Sequence, residues 1–174
     1  MPAGKWKLSF TEEMERYFKS LEIESDYLMN LLSTTVRKII HSGFGQNLSF
    51  GSVIEGNTIA GGIAELTVDH CIRINSLQLN QLDEDVAMAL IAHELAHDHL
   101  KHFQHWKNHL ENEYNADKLA REWGFNIDRF RKICGPPRLN SRLLQIAVIT
   151  EKYSFEIMHS SQGRCLAPQT PIFT

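Results

Sequence analysis

Three observations predict an α+β fold, mostly helical, with a small β-sheet ahead of its central helix. Apolar residues recur at helical spacing over most of the chain. Gly51, Gly56, Gly61 and Gly62 instead enclose short runs that read as strands. The pentapeptide His93-Glu94-Leu95-Ala96-His97 continues the apolar stripe of a helix with a clear start signal. At 174 residues and 43% apolar content, the chain suits one packed domain. We read residues 1–160 as that domain and 161–174 as an irregular tail with two Pro and one Gly.

Ser9 with Glu12 forms a capping box that opens a helix through Met14, Phe18 and Leu21. A second helix runs from about Ser25 to His41, with Leu28, Leu31, Leu32, Val36 and Ile39/Ile40 inward, and ends at Gly43-Phe44-Gly45. Thr58-Ile59-Ala60, Ile63 to Leu66 and Cys71 to Asn75 are the predicted strands. Asn80 and Asp83, followed by Glu84 and Asp85, mark the start of the helix carrying the pentapeptide. Asn108 with Glu111 opens the next helix, which Gly124 stops. Asn126 caps a short helix to about Ile133, and Gly135-Pro136-Pro137 breaks the chain. A last helix is predicted from about Asn140 or Ser141 to Met158.

On a helix, His93 and His97 stand one turn apart and point the same way. Two such imidazoles can hold a zinc ion, and Glu94 can take a proton from a water that the metal acidifies. Peptidase zinc takes three protein ligands, so a third is needed. Glu113 is the candidate, within Glu113-Tyr114-Asn115-Ala116-Asp117. Asp117 shares its face and can accept the outer N–H of a ligand His. His105 and His109 remain rivals for the third position, and His102, His105 and His109 also form a stripe that reads as a solvated face. In one straight helix, His97 and Glu113 would stand about 24 Å apart. The chain must therefore reverse between Lys101 and Asn108, although no Gly or Pro lies there.

H-E-L-A-H at 93–97 followed by E-Y-N-A-D at 113–117 resembles the gluzincin zinc peptidases, over about residues 72 to 124. It is similar to the minimal single-domain gluzincins and to the peptidase domain of CAAX prenyl proteases, and more loosely to ImmA/IrrE-type peptidases. The resemblance implies a zincin-like fold and a zinc-dependent endopeptidase. One Zn2+ would be held by His93, His97 and Glu113, with Glu94 as general base and Asp117 orienting a ligand His, His93 by preference. It also implies that the strand near Ile72 to Ser76 pairs with an extended protein or peptide substrate. The group carries a downstream residue that stabilises the oxyanion; Tyr153, His159 and Arg142 are the candidates here. The spacing of sixteen residues from His97 to Glu113 is short for the group. The alternative is a non-catalytic or latent zinc-binding module, for example of phage or mobile-element origin, that binds a protein partner.

A net charge of -3 gives no basic excess for binding nucleic acid. No stretch approaches the ~20 apolar residues that cross a bilayer, and no apolar signal core follows the N-terminus. Three scattered Cys read as reduced thiols. These features together lead us to expect a cytoplasmic chain.

Overall fold

A computed structural model describes residue 12 and residues 14–44, 50–59, 61–104 and 109–137. The predicted helix from Asn140 to Met158, the tail at 161–174, and Tyr153, His159, Arg142, His105 and Trp106 lie outside the described residues, as do the capping Ser9 and Asn108.

The fold is α+β: mostly helical, with a three-stranded mixed sheet ahead of the central helix. Residues 14–20 are helical. Helix α1 spans Asp26–Ile39. Ser25 caps it, its hydroxyl accepting the Leu28 N–H at 3.2 Å. The inward stripe expected from the sequence is the buried one, from Leu28 to Ile39. A π-type turn extends it through Ile40–Phe44, where Gly43 (φ 90°) takes the chain out of the helix.

Strand β1 is Ser52–Glu55, β2 is Ala64–Leu66 and β3 is Cys71–Ile74. β3 lies in the middle, parallel to β1 and antiparallel to β2. Two sequence expectations are corrected here. Thr58 and Ile59 are not strand: the Thr58 hydroxyl donates to the Gly62 carbonyl at 2.6 Å, and Gly61 (φ 76°) turns the chain. The strand near Ile72 expected to receive a substrate has both edges already paired, so it cannot add another strand along Ile72–Ile74. β1 fills the run between Gly51 and Gly56, which was not among the strands named from the sequence. With only Val53 buried, its four residues show no readable alternation. Its Glu55 carboxylate accepts the N–H groups of Glu24 (2.9 Å) and Ser25 (2.8 Å), tying the sheet to the start of α1.

A short helix α2, Ser76–Leu79, capped by Asn75, leads into α3, Glu84–His99. Asp83 stands at the N-cap position of α3, but its carboxylate pairs with Arg129 instead of capping, and Asp85 joins the same guanidinium at 2.6 Å. α3 is not the one-sided amphipathic helix that its stripe suggested. Val86, Ala87, Ala89, Leu90, Ile91, Ala92, Leu95 and Ala96 are all buried, because α1, the sheet and two later helices pack around it. Those are α4, His109–Glu122, and α5, Ile127–Cys134. Ala116 and Ala120 on α4 are fully buried and bring its backbone close to α3. Gly124 (φ 88°) stops α4, Asn126 caps α5, and Gly135 (φ 92°) stops α5. Among the described residues no helix is long and apolar enough to cross a membrane.

Candidate metal centre

The site is built where α3 ends and α4 returns against it. His93 and His97 occupy successive turns of α3, and both are buried. Leu100 closes the helix, and Lys101 then adopts φ 57°. That left-handed residue starts the expected reversal without a glycine. A 3-10 turn at His102–Gln104 follows, and the chain re-enters a helix at His109. The reversal brings Glu113 back to the two histidines.

The three side chains converge on one point. His93 Nε2 and His97 Nε2 are 3.0 Å apart. Glu113 Oε1 lies 3.1 Å from His97 Nε2, and Oε2 lies 3.4 Å from His93 Nε2. A tetrahedral ion with arms of about 2.0–2.1 Å needs its ligand atoms about 3.3 Å apart. The donor set therefore fits one small divalent cation. Among the described residues this is the group of three able to hold a metal ion.

Each histidine has a different supporter. His93 Nδ1 is 2.9 Å from Asp117 Oδ1. An ionised carboxylate only accepts, so Nδ1 carries a proton, and with an ion bound Nε2 would offer its lone pair to the centre. His97 Nδ1 is instead 2.9 Å from His102 Nδ1. Behind Asp117 stands Arg131, near the end of α5. Its Nε donates to Asp117 Oδ2 at 2.7 Å, and its Nη2 donates to Asp117 Oδ1 at 2.8 Å and Glu113 Oε2 at 3.0 Å. Nη2 also lies 3.4 Å from His93 Nε2. The guanidinium stacks on Phe130, 4.7 Å from the ring centre.

The electrostatics of the ion-free group split the two histidines. Burial depresses His93, but Asp117 and Glu113 outweigh it and lift its pKa to about 9. Burial and the neighbouring His93 hold His97 down to about 4. The two imidazoles thus share one proton, placed on His93. Burial raises Glu113, yet hydrogen bonds to both histidines hold it well below the usual carboxylate range. Glu94, partly exposed beside them, is pushed up to about 7 by burial, with help from Glu113 and Glu65 and against the pull of His93.

Of the residues singled out from sequence, the structure brings together His93, His97, Glu113, Asp117 and, beside them, Glu94. His109 starts α4, but it is not one of the three converging donors. Sequence reasoning missed Arg131, which no motif marks: a basic residue in the last turn of a capped helix usually faces water. It placed His102 on a solvated stripe. The signal available was a His five residues past His97, just beyond the helix end. No family model, no curated protein and no solved structure matches the chain.

Proposed function

We propose that this chain is a zinc-dependent endopeptidase with gluzincin-type chemistry. The observation that carries the reading is the convergence of His93 Nε2, His97 Nε2 and the Glu113 carboxylate, with Glu94 one residue from the first ligand. A bare structural clamp has no need of that second acid. When bound, zinc acidifies a water and polarises a carbonyl. Glu94, with a pKa lifted to about 7, suits a group that accepts a proton from the attacking water and returns it to the leaving amine. Asp117 holds His93 in the ligating tautomer, and Arg131 holds Asp117 and Glu113.

An extended peptide substrate would lie along β2, an edge strand that packs against α3 close to Glu94. Its backbone would supply the strand that β3 has no room for. The test compares wild type with Glu94→Gln and His97→Ala on mixed peptides, alongside zinc content. The reading expects cleavage by wild type, none by Glu94→Gln with zinc retained, and loss of zinc in His97→Ala. Zinc uptake with no cleavage by any form would replace it with the zinc-holding interaction module.

A further inference from the structure

His102 and its neighbours form a closed circuit of contacts at the C-terminal end of α3. His97 and Asp98 are consecutive on the helix, and His102 and Phe103 are consecutive on the turn after it. His97 Nδ1 meets His102 Nδ1 at 2.9 Å. Asp98, almost fully buried, meets His70 Nε2 at 2.5 Å and accepts the Gly51 N–H at 2.7 Å. His70 stacks on Phe103, ring centres 4.4 Å apart and planes 22° apart. The circuit runs His97, His102, Phe103, His70, Asp98 and back to His97. Its anchorage in the sheet is tight. A Cβ on Gly51 would sit 2.4 Å from the His70 carbonyl oxygen, so that position accepts only glycine. His70 itself is held at φ 61°, a conformation uncommon for a residue with a side chain.

We infer that His102 is a positioning residue that fixes His97 as a metal ligand by accepting its Nδ1 proton, braced by Phe103, His70 and Asp98. The inference rests on the metal-site reading above. A neutral imidazole carries one N–H. If Nε2 of His97 faces the ion, its proton is on Nδ1, and the atom 2.9 Å away must accept it. His102 therefore presents a bare Nδ1. In a dry site such a partner decides between the ligating tautomer and the useless one. The His93 arm has a carboxylate for this purpose; the His97 arm has a second imidazole carried on the reversal, so the turn after α3 and the ion are coupled.

Two measurements test it. Zinc affinity, read by chelator competition, is compared among wild type, His102→Leu and His102→Asn. Asn places an amide oxygen close to where Nδ1 stood. The expected result is about tenfold weaker zinc binding in the Leu variant, the lower end of the range for such supporters, and recovery of most of it in the Asn variant. Unchanged affinity in the Leu variant, or equal loss in both, overturns the inference, since equal loss reports packing alone. The second measurement needs no variant to fold: 15N NMR of the imidazoles in zinc-loaded wild type. A protonated His97 Nδ1 facing a bare His102 Nδ1 supports the role, and a protonated His102 Nδ1 overturns it. If wild type takes up no zinc, the metal reading falls and the inference with it; bound zinc with a protonated His102 Nδ1 overturns the inference alone.

Discussion

The two histidines of one motif sit a single turn apart, yet the protein treats them oppositely. His93 is backed by Asp117, itself clamped by Arg131, and is lifted to about 9. His97 is backed by another imidazole and is held down to about 4. One arm of the centre leans on a carboxylate, the other on a second imidazole. A ligand's tautomer can be fixed by either kind of acceptor, but only the charged kind also stores a proton that an ion must displace.

Removing what the arms share should do most. Glu113→Ala deletes the donor that meets both histidines. Its zinc affinity should fall by more than about 100-fold, beyond the cost of losing a supporter, in the same chelator competition. Next comes a contrast between the arms. Asp117→Ala should weaken zinc binding by close to 100-fold, more than His102→Leu does. Charge-assisted hydrogen bonds are about twice as strong as neutral ones, and the change also strips Arg131 of one of its two carboxylate partners. Equal losses would erase the distinction.

Protons read the same asymmetry. At pH 7.5 the ion-free His93 is protonated and His97 is not, so zinc uptake should release about one proton per ion in a weakly buffered indicator assay. Release of none would mean that His93 is already bare. The ion-free fold should also lose stability between pH 6.5 and 9. The His93 pKa is raised in the folded state, so its contribution is full below 6.5 and vanishes as pH passes 9. His97, lowered, costs nothing above 6.5 and costs stability only as pH falls towards 4. Thermal unfolding across that range, without metal, checks the sign.

How much of this was legible depended on whether a residue's role is local. His93, His97, Glu113 and Asp117 could be read because helix periodicity alone puts each pair on one face. The reversal was legible too, from the distance that a straight helix would impose. Lys101 as its pivot was not, since a left-handed lysine has no sequence mark. The middle position of β3 was also hidden: a strand's neighbours are chosen by tertiary packing, and four residues carry no trace of them. Arg131 and His102 act across elements, and nothing near them in the chain announces their partners.

The smallest expected effect concerns that pivot. Lys101→Gly should stabilise the fold by roughly 0.5–1 kcal/mol, as relief of the left-handed penalty exceeds the added chain entropy. Zinc affinity should stay unchanged, because the turn keeps its shape; a drop in affinity would show that the lysine side chain contributes to the His97 arm.

The most direct test of the account is elemental analysis of the purified full chain after incubation with excess zinc salt and removal of the unbound ion. One zinc per chain in wild type, and none in Glu113→Ala, is the expected result. No stoichiometric zinc in wild type, or the same content in both proteins, would contradict it.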